Sequence, residues 1–281
     1  MPARLQFAVF GQPIAHSLSP RIHAMFAAQF GIALDYRAIE AGRDDFARVL
    51  DAFASEGGGG ANVTLPLKQD ALALCSDASD RARRSGSVNT LVRHGSRWRG
   101  DSTDGAGLLR DLRDRCALGE LQDVRCLLLG AGGAARAVAF ALADAGIESL
   151  LIANRTHERA RDLAAAIDAP NVEAISWDAL GGSGAFDLVV HATAAGHDAA
   201  QLALAPAIAT DALCYDLSYG EAAAPFLRWA KSAGAARIDD GLGMLVEQAA
   251  ESFAIWHGRA PDTAAVFDAM RRERPLAIDG A

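Results

Sequence analysis

Short apolar runs alternate along the chain with longer segments whose apolar positions recur at helical spacing, the rhythm of an α/β protein. In the first hundred residues the runs Leu5–Phe10, Leu34–Ile39, Gly60–Val63 and Val88–Arg93 predict strands, and residues 20–31 and 44–55 predict the helices between them. Asp104–Cys116 predicts a helix that leads into a second half. Its strands are expected at 125–130, 149–153, 172–175, 186–190 and 213–216, with helices at 133–145 and 156–166. Alternation with short connections favours a parallel, doubly wound sheet with right-handed crossovers. The expected plan is an N-terminal α/β domain over 1–103, a Rossmann-type doubly wound domain over 104–240, and C-terminal helices over 241–281 that pack back on the first domain. Gly57–Gly60 is expected to be a flexible turn.

The last long helix has two partly apolar faces. Leu242, Leu245, Val246, Ala249, Ala250 and Phe253 share one stripe, while Met244, Gln248, Ser252 and Ile255 lie roughly opposite. Two such faces imply two neighbours, so the helix is expected to wedge between the halves. A polar Gln248 on that surface is either solvated or a donor that lines a cleft.

Composition narrows the function classes. The chain has 281 residues, 51% hydrophobic and 22% charged, enough for two domains with a core each. No apolar stretch approaches a membrane span, and Met1–Phe10 lacks a basic segment followed by a long apolar core, so a cytoplasmic protein is expected. The net charge of −8, with no Lys/Arg stripe, argues against a nucleic acid or an anionic membrane as partner. Cys75, Cys116, Cys126 and Cys214 show no C-x-x-C spacing, which suggests reduced structural thiols and no metal site.

The strongest local signal is Leu127-Leu-Leu-Gly-Ala-Gly-Gly-Ala-Ala-Arg136, in which an apolar run ends in glycines and becomes an alanine-rich segment. A strand, tight turn and helix in that order aim the N–H groups of a helix N-terminus at an anion such as a pyrophosphate. The pattern Gly130-x-Gly132-x-x-Ala135 lies within the dinucleotide fingerprint, although a lone glycine turn is weak evidence. The next strand ends in Asn154-Arg-Thr-His-Glu-Arg159, where an NAD enzyme would usually show a carboxylate for the ribose 2′-hydroxyl. Arg155 and Arg159 suit a 2′-phosphate instead. Their plain alternative is a solvated first helical turn, with Asn154 or Thr156 as a cap. Arginine beside a positive helix N-terminus asks for an anion, which favours NADP.

A nicotinamide cofactor implies hydride transfer, and the first half gathers polar residues at the ends of elements, where open α/β sheets bind ligands. Ser19 before Pro20 reads as an N-cap with proline at the first helical position, leaving Ser17 over. Asn62, Thr64 and Lys68 follow a strand, Asn89 precedes Thr90, and Thr103 and Asp104 open the crossing helix. Each alone has an ordinary reading as a cap or surface residue. Their common position is harder to explain that way.

Taken together, these residues resemble the shikimate dehydrogenases. The resemblance rests on Phe10-Gly-x-Pro-Ile-x-His-Ser-x-Ser-Pro20, Gly60-Ala-Asn-Val-Thr64 through Lys68, Gly86-x-Val-Asn-Thr90, Gly100-Asp-x-Thr-Asp-Gly105, Gly130-Ala-Gly-Gly133, Asn154-Arg-Thr156, Tyr215-Asp-x-x-Tyr219 and Asp240-Gly-Leu-Gly-Met244, which together span nearly the whole chain. It implies NADP-dependent interconversion of shikimate and 3-dehydroshikimate, on the route to chorismate and the aromatic amino acids, by a monomer or homodimer. It further implies Lys68 and Asp104 as the catalytic pair. Ser17, Ser19, Thr64, Asn89, Thr103, Asp104, Tyr219 and Gln248 are the implied substrate contacts. The implied cofactor contacts are Gly130, Ala131, Gly132, Gly133, Ala134, Asn154, Arg155, Thr156, Arg159, Leu217 and Gly241, with Asp80 as a weaker candidate.

The chain departs from the family pattern at His191-Ala-Thr193, where many relatives have Asn-Ala-Thr, at the following Ala194-Ala-Gly196, and at Leu217, where methionine is frequent. His191 is expected to be a packing or backbone-bonded residue. A quinate/shikimate dehydrogenase shares the Lys and Asp pair but often accepts NAD, against which Arg155 argues. A non-catalytic NADP sensor would be free to lose Lys68 or Asp104, and both are present. A methyltransferase predicts an acidic residue where Arg155 stands.

Overall fold

The computed structural model describes residues 5–193 and 204–278. The chain forms two compact units, residues 1–107 with 245–266, and residues 108–244 with 267–281. The changeovers at 107/108 and 244/245 fall inside helices rather than in linkers.

The first unit contains β1 (Leu5–Gly11), α1 (Ser19–Gln29), β2 (Leu34–Glu40), α2 (Phe46–Ser55), β3 (Gly58–Val63), α3 (Lys68–Ala73), β4 (Asp77–Ala78), α4 (Asp80–Ser85), β5 (Thr90–His94), β6 (Arg97–Asp101) and the first turn of α5 (Asp104–Asp114). The second contains β7 (Arg125–Leu129), α6 (Gly133–Asp144), β8 (Ser149–Ala153), α7 (His157–Ile167), β9 (Val172–Ile175), β10 (Leu188–His191), β11 (Leu213–Asp216), α8 (Ala224–Ser232) and β12 (Arg237–Asp240). The units share α9 (Leu242–His257) and α10 (Ala264–Glu273).

The sheet of the second unit runs β12-β11-β10-β7-β8-β9 and is parallel throughout, so the strand order reverses between β10 and β7, where open sheets of this kind bind ligands. The sheet of the first unit is mixed. Its order is β2-β1-β3-β5-β6-β4, and β5 runs antiparallel to both β3 and β6. The cause is a hairpin: His94 pairs with Arg97 across a two-residue turn, with Gly95 at φ +63°. Alternation in Arg97-Trp98-Arg99-Gly100 buries only Trp98 and Gly100 and hides β6 from a search for apolar runs.

The glycine run is not a flexible turn. Gly58–Gly60 are strand residues, and a Cβ at Gly58 would collide with the Phe53 ring. A Cβ at Gly60 would come within 2.6 Å of Trp256 Nε1, which donates to Leu91 O at 3.0 Å. Here glycine makes room for aromatic rings on both faces of a central strand.

On one side of this sheet α2 packs Phe46, Leu50 and Phe53 against Phe10, Val63 and Leu91. On the other, Phe253 of α9 meets Phe26 at 5.8 Å and Phe30 at 5.8 Å between ring centroids. The second face of α9, with Gln248 and Ser252, meets the polar ends of the strands within the same unit. α1 starts one residue earlier than expected. Ser19 is already helical, Leu18 is the cap residue without a side-chain cap bond, and Ser17 Oγ accepts the Ser19 N–H at 3.3 Å.

His23 of α1 is fully buried, stacked 4.4 Å from the Tyr36 ring. Neither ring nitrogen reaches a partner in hydrogen-bonding geometry, although the Asn62 side chain lies near enough to oppose part of the burial effect, which drives the imidazole down to about 3. Because the folded value is depressed, the stability tied to a neutral His23 is fully present above pH 6.5 and is lost as pH falls from there toward 3. Denaturant unfolding between pH 7 and 4 should therefore show a loss approaching about 1.4 kcal/mol per pH unit from this group, and His23→Gln should remove that component of the slope.

Candidate active site

The polar residues of the first unit converge where the carboxyl ends of β1, β3 and β6 meet the start of β5. Parallel pairing of β1 with β3 sets the Thr64 segment beside the loop after β1, with Gln12 N–H donating to Leu65 O at 3.0 Å. The pairing of Asn62 with Thr90, and of Thr90 with Asp101, brings Asn89 and the Thr103–Asp104 segment alongside. Lys68 follows as the first residue of α3, and Asp104 as the first of α5.

At the centre, Lys68 Nζ donates to Asp104 Oδ2 at 2.6 Å, with side-chain exposures of 11% and 6%. Asn89 Nδ2 donates to the other oxygen, Asp104 Oδ1, at 2.8 Å. Asn89 is itself pinned, its Oδ1 accepting the Thr103 N–H at 2.8 Å. Gln248 Oε1 accepts from Asn89 Nδ2 at 3.2 Å and from Thr103 Oγ1 at 3.4 Å, while Gln248 Nε2 donates to Leu245 O at 2.8 Å. A buried carboxylate is tolerated when both oxygens are bonded, and Lys68 and Asn89 supply that here.

The structure thus joins Lys68, Asn89, Thr103, Asp104 and Gln248 in one hydrogen-bonded set. Thr64 and Ser17 stand at the neighbouring strand end and the loop before α1. Ser19 is buried at the start of α1. Sequence reasoning missed the layer beneath. Tyr36 Oη donates to Asn62 Oδ1 at 2.7 Å, Asn62 Nδ2 donates to Ser252 Oγ at 3.0 Å, and Ser252 and Thr90 hydroxyls are 2.7 Å apart. The sequence already put Gln248 and Ser252 on one face of α9, but nothing local tied Ser252 to Asn62 and Thr90.

The second unit carries the other group of expected residues. Gly130 has φ +126°, and a Cβ there would come within 2.7 Å of Ala192 O, so this turn admits only glycine. Gly132 caps α6 without a side-chain cap bond, and a Cβ there would meet nothing within 4 Å. The N–H groups at the start of α6, over Gly133 and Ala134, thus follow a turn with open space beside Gly132, which suits a pyrophosphate. Ala131 is half-buried beside it. Arg155 and Arg159 are exposed at the start of α7, where Thr156 is the cap residue and Asn154 Nδ2 donates to Thr156 O at 2.9 Å. The donor set fits a phosphorylated dinucleotide.

Leu217 follows β11, and Gly241 closes against it: Gly241 N–H donates to Ser218 O at 2.8 Å, and a Cβ would strike the Leu217 carbonyl. Tyr219, in the second unit, precedes a short 3-10 turn at Gly220–Ala222. Asp80 belongs to the first unit, opens α4 and holds Arg83 at 2.9 Å. His191 is indeed packed, stacked 4.6 Å from Phe226, and it is also bonded at both nitrogens: Nδ1 lies 2.8 Å from Asp216 Oδ2 and Nε2 2.5 Å from Thr193 Oγ1. Ala194-Ala-Gly196 lies outside the described residues. Burial pushes the Cys75 thiol up to about 11 and the Cys214 thiol up to about 12. Among the described residues no group of His, Cys, Asp and Glu is arranged to hold a metal, and no helix is long and apolar enough to cross a membrane.

Comparison with known proteins places this geometry. Residues 9–91 match the shikimate dehydrogenase substrate binding domain, residues 114–212 the shikimate / quinate 5-dehydrogenase model, and residues 241–271 the shikimate 5'-dehydrogenase C-terminal domain. The chain belongs to the shikimate dehydrogenase family. It is 53% identical over 277 residues to the shikimate dehydrogenase (NADP(+)) of Xanthomonas euvesicatoria, covering 97% of this chain and 98% of that one. Among solved structures, an Ael1 enzyme from Pseudomonas putida is similar at 41% identity and a TM-score of 0.84, covering 94% of this chain and 97% of that one. The shikimate 5-dehydrogenase of Thermus thermophilus, in complex with NADP(H) and shikimate, matches at 34% identity and a TM-score of 0.78, covering 95% and 99%. The fold is thus that of the family, an N-terminal substrate domain and a C-terminal Rossmann-type domain.

Asn89 is the residue on which the set converges. Asn89→Ala should leave the buried Thr103 N–H and Asp104 Oδ1 without this partner and cost about 1–3 kcal/mol, read as a lower denaturation midpoint in urea.

Proposed function

We propose that this chain is an NADP-dependent oxidoreductase that reversibly reduces 3-dehydroshikimate to shikimate, working in the cytoplasm as a monomer or homodimer in the biosynthesis of chorismate and the aromatic amino acids. The observation that carries the reading is the buried pair of Lys68 and Asp104 at 2.6 Å, with Asn89 on the second carboxylate oxygen. Its support from outside the site is the family and the names of near relatives.

The first unit supplies the substrate site. Oxidising a ring alcohol removes a proton from oxygen and a hydride from the same carbon. Lys68 Nζ takes the hydroxyl proton, and returns it in the reduction, while Asp104 holds the amine in place and balances the ammonium that forms. Ser17 and Ser19 offer hydroxyl donors to the substrate carboxylate. Thr64, Asn89, Thr103, Asp104 and Gln248 are assigned to the ring hydroxyls. One Gln248 N–H is spent on Leu245 O and the other is left for the ligand. A site of paired amides and hydroxyls rejects a ring that lacks a partner, because each buried donor left unmatched costs about 1–3 kcal/mol.

The second unit holds the cofactor, with Gly130–Ala134 at the pyrophosphate, Asn154–Arg159 at the adenosine end, and Leu217 and Gly241 at the nicotinamide end. When bound, NADP supplies the hydride acceptor for the alcohol, or in its reduced form the donor for the ketone.

Initial rates with shikimate and quinate, each with NADP and NAD, test the whole reading: shikimate with NADP should give the highest kcat/KM, and a preference for quinate with NAD would overturn it. Lys68→Ala should lower kcat by about 10²- to 10⁴-fold with little change in KM. Near-normal turnover of that variant would remove Lys68 from the chemistry. Arg155→Ala should reduce the preference for NADP over NAD by about ten- to a hundredfold, measured as the ratio of the two kcat/KM values.

A further inference from the structure

Two segments of the first unit carry residues assigned to the substrate. The end of β6 leads into Thr103 and Asp104, and α9 brings Gln248 and Ser252. Direct bonds between these segments are long, 3.4 Å from Thr103 Oγ1 to Gln248 Oε1 and 3.3 Å from Thr103 Oγ1 to Ser252 Oγ. Ser252 makes its shorter bonds elsewhere, to Thr90 at 2.7 Å and Asn62 at 3.0 Å. Those bonds tie α9 to β3 and β5; toward the end of β6 the link runs through Asn89, 2.8 Å from Asp104 Oδ1 and 3.2 Å from Gln248 Oε1, which leaves the Asp101 end of the gap to another tie.

Arg81 of α4 spans that gap. Its Nε donates to Asp101 Oδ1 at 2.6 Å, and both terminal nitrogens donate to Glu251 Oε1 at 3.3 Å. Asp101 is the last residue of β6, three before Asp104. Glu251 lies three residues after Gln248, one helical turn along the same face. The Asp101 end is firmly built. Its Oδ1 also accepts from Ser79 Oγ at 2.6 Å and from the Ser102 N–H at 2.7 Å. Burial works to raise the Asp101 carboxyl, but Arg81, Ser79 and Ser102 outweigh it and hold the group below its ordinary value. A planar guanidinium serves both acids because its donors are fixed relative to one another; a lysine ammonium is a single point of charge.

We infer that Arg81 is a positioning residue for the substrate site, a clamp between Asp101 and Glu251 that sets the distance from Thr103 and Asp104 to Gln248. The inference rests on the reading of this site as the one that binds shikimate. Arg81 touches none of the reacting groups. Its effect falls on substrate affinity rather than on proton transfer, because Lys68 and Asp104 are bonded to each other directly.

Titration calorimetry of shikimate into the enzyme without NADP, with NADP titrated separately, reads this effect without turnover. In Arg81→Ala the shikimate Kd should rise about tenfold, the loss of one charge-assisted tie. NADP affinity should stay near wild type even though Tm falls, since the buried Asp101 keeps only Ser79 and Ser102, and KM should change more than kcat. Arg81→Lys should fall between Arg81→Ala and wild type. Glu251→Ala should weaken shikimate as well, and the double variant should be no weaker than Arg81→Ala, since both break one tie. An unchanged shikimate Kd in Arg81→Ala, fully additive single variants, or a parallel fall of NADP affinity would each overturn the clamp. A wild-type chain that binds no shikimate overturns the functional reading and the clamp with it, whereas normal wild-type binding beside an unaffected variant overturns the clamp alone.

Discussion

A carboxylate at 6% exposure survives inside a protein only if its desolvation is met by partners. Asp104 sets that condition for the first unit, and the surrounding residue types follow from it. Lys68 must start α3 where its amine can reach one oxygen, and Asn89 must sit at the head of β5 to reach the other. Asn89 then has a carbonyl to satisfy, which the Thr103 N–H does, and that bond fixes the turn from which Asp104 springs. The group to be stabilised and the groups that stabilise it hold one another in place. Lys68 is thereby kept beside its carboxylate without the solvent access that a surface lysine would have.

The second unit meets a different constraint, set by backbone rather than charge. In a parallel sheet every strand ends on the same side, so the segments after β7, β8, β10, β11 and β12 come together there. Room at that edge is scarce, and glycine provides it where the chain folds back on itself. The approach of Ala192 O to Gly130, and of the Leu217 carbonyl to Gly241, leaves no place for a side chain. Side chains project instead at the helix starts, where Arg155 and Arg159 stand exposed.

Much of this was legible in the sequence because the motifs sit at the ends of elements, and element ends are marked by glycine, proline and capping residues. Lys68, Asn89, Thr103, Asp104 and Gln248 could each be named, and the structure joins them. What escaped were features whose meaning depends on a neighbour far along the chain. β6 alternates too strongly to show an apolar run. Tyr36, Thr90 and Ser252 look like ordinary strand and helix residues until Asn62 brings them together. Ser19 looked like a cap because serine before proline favours one, but the Ser17 hydroxyl takes up its N–H. Arg81 carries no local signal, since Asp101 and Glu251 are 20 and 170 residues away.

The glycines of β3 illustrate how far such a dependence reaches. Gly60 leaves a bare patch on a central strand, and Trp256 fills it, its indole nitrogen bonded to Leu91 O. Trp256 stands on the same helix as Gln248 and Ser252, and a helix advances about 1.5 Å per residue. The patch therefore acts as an index mark. With the indole seated, α9 cannot slide along its axis, and the height of Gln248 above the strand ends is read off a position two turns away. A run that looks like slack in the chain is the ruler along which the polar side chains of α9 are spaced.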